Sequence, residues 1–330
     1  MSTTLTRTLG RSGIEVSALG LGCWAIGGPF WGAPDLPIGY GQVDDSESIR
    51  AIHRALDLGV TLFDTADVYG AGHSERILGQ ALGQQRKNVL IATKFGNQFD
   101  EETRMITGGL DDPQSHVRRA CEASLRRLQT DYIDLYQLHV GDYDLEGAAE
   151  IREILEQLVS EGKIRFYGWS TDDPERARLF AQGAHCVAIQ HTLNVFEDSP
   201  AILAVCEDEN LASLNRGPLS MGLLTGKYTT RDQVGEQDIR LSSLPWNPFN
   251  AERMPVHLHQ LDKVRQILTS DGRTLAQGAL GWIWARSSRT IPIPGFKTVQ
   301  QVEENVAATR FGPLTQQQMT EIEQLLRPGS

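Results

Sequence analysis

The sequence predicts a (β/α)8 TIM barrel, an α/β fold, with an N-terminal β-hairpin and an extra C-terminal helix. Three observations lead there. Strand-like apolar runs alternate with amphipathic helical stretches through eight repeats. No G-x-G-x-x-G occurs, although the competing doubly wound sheet would usually place a Gly-rich turn after its first strand. Several runs end on a polar or charged residue, which is how a parallel barrel delivers chemistry to one rim.

The elements follow in order. A hairpin covers residues 7–17 and turns near Ser12-Gly13. The first apolar run is 18–24, and a helix follows over 45–58, which Asp44 or Asp45 is suited to cap because a short acceptor takes the free N–H groups of the first turn. Strand 61–66 leads into helix 73–83, strand 89–94 into helix 113–128, and strand 132–138 into helix 147–161. The series continues with strand 164–170, helix 173–181, strand 186–191, helix 199–209 and strand 211–215. Helices within 257–286, strand 290–294 and a crossover helix over 298–309 complete the repeats. The tail 314–327 reads as one more amphipathic helix, starting at Thr315 and packed across the barrel. Segments 27–41, 99–113 and 223–255 interrupt the repeat and read as long loops over the rim, the usual place for lids and binding loops. No low-complexity linker is visible, so residues 1–330 are expected to form a single domain.

Bulk properties set outer limits. A chain of 330 residues with 40% hydrophobic content can bury a large core. No apolar run approaches a membrane span, and Met1–Arg7 lacks the charged-then-apolar pattern of a secretory leader, so a cytoplasmic protein is expected. Cys23, Cys121, Cys186 and Cys206 are widely separated and form no C-x-x-C pair, which suits reduced core thiols. A net charge of −11 argues against a nucleic-acid footprint. His257 and His259 are two residues apart in a helical stretch, and a solvated helix face explains them better than a metal site.

The chemistry concentrates in four residues. Asp64 and Tyr69 lie in Thr61-Leu-Phe-Asp-Thr-Ala-Asp-Val-Tyr-Gly70, Lys94 closes Val89-Leu-Ile-Ala-Thr-Lys94, and His139 closes Tyr132-Ile-Asp-Leu-Tyr-Gln-Leu-His139. A free phenol titrates near ~10, too high for efficient proton transfer at neutrality. An ammonium such as Lys94 within hydrogen-bond reach is expected to lower that value, with Asp64 holding the lysine in place. His139 is expected to orient a substrate carbonyl by donating to its oxygen, or to relay a proton.

These segments give the chain a resemblance to the aldo-keto reductase superfamily over almost its whole length. Further matching stretches are Gly72-His-Ser-Glu75 with Leu78-Gly79, Gly168-Trp-Ser170, Pro218-Leu219 with Gly222-Leu-Leu-Thr-Gly-Lys227, and Ile293-Pro-Gly295 with Glu304-Asn305. The resemblance implies a nicotinamide cofactor, NADPH/NADP with NADH/NAD also admitted, lying over the barrel mouth without a Rossmann fold. By position, Ser170, Thr171 and Gln190 would meet the carboxamide, Thr171 standing where the family often has Asn. Gly22, Cys23, Trp24 and Asp64 would line the nicotinamide side. Arg216 occupies a site where many members carry an aromatic that stacks on the ring. Gly217, Pro218, Leu219, Met221 and Gly222 would wrap the pyrophosphate through backbone N–H groups, with Lys227 supplying charge. Gly295, Lys297 and Thr298 precede a helix whose N-terminus favours anions, so Lys297 and Thr298 would meet the adenosine 2′-phosphate. Glu304 and Asn305 would lie near adenine. Strongly NADPH-selective members often place Arg where this chain has Gln301.

Trp24, Phe30, Trp31, Tyr69 and His139 are expected to line the substrate pocket, whose aromatic walls suit aldehydes, ketones and sugars alike. The expected partner is a small-molecule carbonyl or alcohol, bound by a monomer with neither nucleic acid nor membrane, and no metal is expected. Two alternatives stay open. One is a cofactor-binding regulatory subunit resembling those of potassium channels. The other is a sugar or alcohol dehydrogenase working mainly in the oxidative direction.

Overall fold

Eight short parallel strands close on themselves around a core that is apolar at one end and polar at the other. The computed structural model describes residues 5–327. The first four residues of the segment read for a leader, and the last three of the chain, lie outside the described residues.

In chain order the elements are β1 (Thr6–Thr8), β2 (Glu15–Ser17), β3 (Leu21–Gly22), β4 (Trp31–Ala33), β5 (Leu36–Pro37), α1 (Asp45–Asp57), β6 (Leu62–Asp64), α2 (His73–Leu82) and β7 (Leu90–Phe95). Then come β8 (Gln98–Asp100), β9 (Met105–Gly108), α3 (Pro113–Leu128), β10 (Ile133–Leu138), α4 (Leu145–Ser160), β11 (Ile164–Ser170), α5 (Pro174–Ala181), β12 (Cys186–Thr192) and α6 (Pro200–Asp208). β13 (Ala212–Arg216), α7 (Arg253–Leu268), α8 (Leu275–Arg286), β14 (Thr290–Pro292), α9 (Val299–Ala307) and α10 (Gln316–Leu326) complete the chain. The barrel order is β3, β6, β7, β10, β11, β12, β13, β14, all pairs parallel. It closes where Gly20 N donates to Pro292 O and Gly22 N to Pro294 O, both at 3.0 Å, beside a parallel bridge between Gly22 and Gly295.

Local chemistry starts the helices where the sequence indicates. Asp44, Asp112, Asp144 and Asp173 each accept backbone N–H groups of the following first turn, at α1, α3, α4 and α5. Pro113 and Pro174 sit at first-turn positions, where the missing N–H costs nothing. Thr315 and Gln318 form a reciprocal capping box on α10.

Strand alternation then sorts the barrel interior. Leu62, Leu90, Ala92, Leu135, Ala188, Ala212, Leu214 and Ile291 form one apolar cluster with Leu9 and Val16 of the hairpin, which therefore plugs that end. One step further along the same strands, the inward residues become Asp64, Lys94, Gln137 and Gln190, all buried.

Three expectations need correction. Segments 27–41 and 99–113 are not plain loops: they supply β4, β5, β8 and β9, a four-stranded accessory sheet in the order β5-β4-β9-β8. Its pairing joins Trp31 to Met105, residues far apart in sequence, so no local pattern announces it. Segment 223–255 carries short 3-10 turns, including Arg231–Gln233 and Ile239–Leu241, and α7 begins at Arg253 rather than 257. The tail helix α10 rests on α7 and α8 through Met319 and Ile322, which join Leu261, Val264 and Trp282.

Candidate active site

At the polar end of the barrel, Lys94 and Asp64 form a pair closed to solvent. Lys94 is 0% exposed and Asp64 2%. The Lys94 ammonium donates to Asp64 Oδ1 at 2.5 Å, to the Thr65 carbonyl at 2.7 Å and to the Tyr69 hydroxyl at 3.4 Å. The other carboxylate oxygen accepts from Gln190 Nε2 at 2.8 Å and Gln137 Nε2 at 3.2 Å. Both charges are thus satisfied, which a buried pair needs to be tolerated. Tyr69 is set by its neighbour: Gly70 has φ +61°, and a Cβ there would fall 1.9 Å from the Gly27 carbonyl oxygen. Two backbones touch at that point, fixing the turn that carries the phenol. The His139 ring stands edge-on to Tyr69 with centroids 5.7 Å apart, and its Nδ1 is buried without a hydrogen-bond partner.

The electrostatics correct one expectation. Burial raises the Tyr69 pKa; Lys94 pulls it down and Asp64 pushes it up, and the net result lies above the ordinary phenol value. The lysine contact is long, and the aspartate cancels much of its charge. The resting phenol is therefore protonated, a donor rather than a phenolate. Burial also opposes the charge on Lys94, but Asp64 and Tyr69 outweigh it and hold its pKa above normal. Burial, then Lys94 and Arg216, drive His139 well below the usual imidazole value, so it is neutral.

Trp24 lies parallel to Tyr69 at 5.6 Å and is pinned by its indole N–H on the Ile38 carbonyl at 3.0 Å. Phe30, Val68 and Tyr69 are buried together, with Trp24, Ile38, Phe99 and Ile106 packed against them. Phe30 packs beside Tyr69, Trp31 lies in β4 of the accessory sheet, and Phe99 and Ile106, which the sequence did not single out, pack against the same cluster.

The residues expected at a dinucleotide meet along the same rim, with differences. Gly22, Cys23 and Trp24 follow one another at the end of β3, where Cys23 N donates to the Asp64 carbonyl at 2.7 Å. Ser170 ends β11. Thr171 is 0% exposed, and its hydroxyl is engaged by the Gly141 carbonyl at 2.6 Å. Gln190 spends its amide N–H on Asp64 rather than presenting it to the mouth. Arg216 ends β13 in a bidentate pair with Asp172, at 2.6 and 3.2 Å. The loop after it turns through left-handed residues at Gly217, Ser220, Met221 and Gly222, with Pro218 and Leu219 between, and Lys227 is exposed beside the Tyr228 ring. Ser220 has a buried hydroxyl with no partner, an orphan inside this loop that sequence reading missed. Lys297 donates to the carbonyls of Tyr40 at 2.7 Å and Gln42 at 3.1 Å, so its ammonium is already engaged. Thr298 caps α9, Gln301 Oε1 accepts from Lys297 N, and Asn305 Nδ2 reaches the Gly295 carbonyl. The carbonyl of Glu304 accepts from Gln277.

Gln137 and Asp172 also escaped the sequence reading. Gln137 stands two residues before His139, on the same strand face, and that spacing could have found it. Asp172, in the bend after β11, had no local signal, since its partner Arg216 is on β13. His257 is not on a solvated face: it is buried and stacks on Phe196 at 4.7 Å with planes 6° apart. The four cysteines are free and buried. No described helix is long and apolar enough to cross a membrane.

A parallel barrel with a phenol, a buried ammonium and an imidazole at one rim brings together the groups that acid–base chemistry needs. The model of the Aldo/keto reductase family matches residues 18–327, and the chain belongs to that family; it is an oxidoreductase. It is 34% identical over 300 residues to the aldo-keto reductase YhdN of Bacillus subtilis, covering 90% of this chain and 86% of the other. Among solved structures, the glycerol dehydrogenase of Gluconobacter oxydans is 33% identical with a TM-score of 0.81, covering 99% of this chain and 96% of that one. An aldo-keto reductase from Klebsiella pneumoniae in complex with NADPH is 25% identical with a TM-score of 0.69, covering 99% and 97%.

Proposed function

We propose that this protein is an NAD(P)(H)-dependent oxidoreductase that interconverts carbonyls and alcohols, with Tyr69 as the proton donor and acceptor. The observation that carries the reading is the Tyr69 hydroxyl, 3.4 Å from the ammonium of the buried Lys94–Asp64 pair, with the His139 ring edge-on beside it. When bound, the nicotinamide supplies or takes the hydride. The residues present fit such a group: the orphan Ser220 hydroxyl and the left-handed turns of 217–222 suit phosphate oxygens, with Lys227 adding charge. Ser170, Arg216 and the end of β3 would border the ring, and Lys297, Thr298, Gln301, Glu304 and Asn305 the adenosine end. Lys297 gives two of its three N–H donors to the Tyr40 and Gln42 carbonyls, which leaves the third for a 2′-phosphate.

In reduction, the carbonyl oxygen sits between the Tyr69 hydroxyl and His139. His139 orients it, and Tyr69 gives its proton to the developing alkoxide. Lys94 then stabilises the phenolate left behind, while Asp64 holds the ammonium in place. Oxidation runs the same proton path backwards. The likeness to a glycerol dehydrogenase favours small polyols as a second substrate class, used in that direction.

Fluorescence titration with NADPH and NADH, followed by a panel of aldehydes, ketones, sugars and polyols, tests the reading. Saturable dinucleotide binding is expected, with turnover that Tyr69→Phe reduces by orders of magnitude. Full turnover in that variant would refute the assignment of Tyr69.

A further inference from the structure

The rim holds one ion pair whose charge the proposed chemistry does not yet use. Arg216, at the end of β13, donates through both guanidinium nitrogens to the two carboxylate oxygens of Asp172. Asp172 is itself fixed, because its Oδ1 also accepts the backbone N–H of Thr192 at 2.8 Å. The guanidinium side chain is 36% exposed and the carboxylate 52%, so the pair faces the open mouth rather than the core. Arg216 directly precedes the left-handed loop 217–222. Its charge is also felt by Tyr69 and His139 across the mouth.

This location has a consequence for a ring that changes charge. An oxidised nicotinamide is a cation, and a reduced one is neutral. The two dinucleotides are otherwise alike, carrying the same pyrophosphate and the same adenosine end. A fixed cation at the ring therefore penalises the oxidised form alone, and a fixed anion beside that cation offsets the penalty. We propose that Asp172 is a positioning residue that, through Arg216, sets the relative affinity of this enzyme for oxidised and reduced nicotinamide dinucleotides. Asp172 does this in two ways: it holds the guanidinium plane in one orientation, and it cancels part of the charge that the ring meets. The inference rests on the functional reading above.

The test is the ratio of Kd for NADP+ to Kd for NADPH, measured by fluorescence or calorimetry in the full chain. General loss of fold or of phosphate contacts moves both constants together and cancels in the ratio. Asp172→Asn is expected to raise the ratio about three- to tenfold, the effect of uncovering one partly solvated charge beside the ring. Asp172→Glu, which keeps the carboxylate, restores it at least in part. Arg216→Met lowers the ratio below the wild-type value, and adding Asp172→Asn to that variant produces a much smaller rise. An unchanged ratio in Asp172→Asn overturns the inference, as does an equal rise with and without Arg216. If the wild-type chain binds neither dinucleotide, the functional reading itself fails and the inference falls with it. Binding of both forms with an unmoved ratio removes the inference alone.

Discussion

Lys94 reaches Asp64 at 2.5 Å but the Tyr69 hydroxyl only at 3.4 Å, so its charge is committed to the carboxylate before it serves the phenol. The resting state of the site is a neutral acid beside a compensated cation. Proton donation by Tyr69 leaves a phenolate, which the ammonium can then approach at no cost in desolvation, because the pair is already buried.

Tyr69→Phe removes only the hydroxyl and keeps the ring that stacks on Trp24. The turnover number is expected to fall about 10²–10⁴-fold, the usual worth of a positioned general acid. The Kd for NADPH should stay close to wild type, because no dinucleotide contact is assigned to the hydroxyl. Steady-state kinetics and a binding titration read the two quantities separately.

How much of this was legible depends on where each residue's partner lies. Asp64, Lys94 and His139 end apolar runs, and strand periodicity alone aims them at one rim. The helix cap at Asp44 is local, so its sequence context specifies it. The accessory sheet was not legible, because β4 meets β9 only after both have been placed by the barrel. Asp172 was hidden for the same reason, being defined by Arg216, distant in sequence at the end of β13. The sign of the Tyr69 shift escaped as well. Burial and the opposing Asp64 charge are properties of the folded interior, and a list of residue types contains only the attractive half.

Carbonyl reduction is expected to be level in kcat/KM between about pH 6.5 and 10, once dinucleotide binding is saturated. Tyr69 titrates above its ordinary 10.0, so the donor is intact throughout that window. His139 titrates below its ordinary 6.5, so it is already neutral at the acid edge. The oxidative reaction requires the deprotonated phenol and should instead rise with pH across the same range. A reductive profile already declining at pH 8 would mean that Lys94 outweighs burial at Tyr69.

Replacing Lys94 by Met leaves the Asp64 carboxylate buried and facing only Gln137 and Gln190. Removing one partner of a buried pair costs about 3–5 kcal/mol, so urea unfolding should show a loss of that size with an unchanged m-value. Adding Asp64→Asn to Lys94→Met should recover part of it, since no uncompensated charge then remains. The pH dependence follows from the direction of the shift. The folded-state pKa of Lys94 lies above 10.5, so its contribution is complete below that pH and is lost only as pH climbs through the folded value. The stabilisation supplied by the charged Lys94 in the intact pair should therefore be constant across the neutral range.

Gly70→Ala tests whether the backbone contact beneath the phenol matters to the chemistry. The residue has φ +61°, and its new Cβ would lie 1.9 Å from the Gly27 carbonyl oxygen. Backbone atoms on both sides leave no flexible side chain to yield, so the turn carrying Tyr69 must move. The left-handed conformation and the overpacking together are expected to cost about 2–4 kcal/mol of stability. The shift should also lower kcat more than it raises KM, because misplacing a proton donor weakens transition-state contacts before it weakens ground-state binding. Gly59→Ala is the control: Gly59 also has positive φ, +84°, but a Cβ there would meet no atom within 4 Å. That variant should lose stability through backbone strain alone and keep its kcat. Equal loss of kcat in the two variants would mean that the turn at Tyr69 has no special claim on the phenol's position.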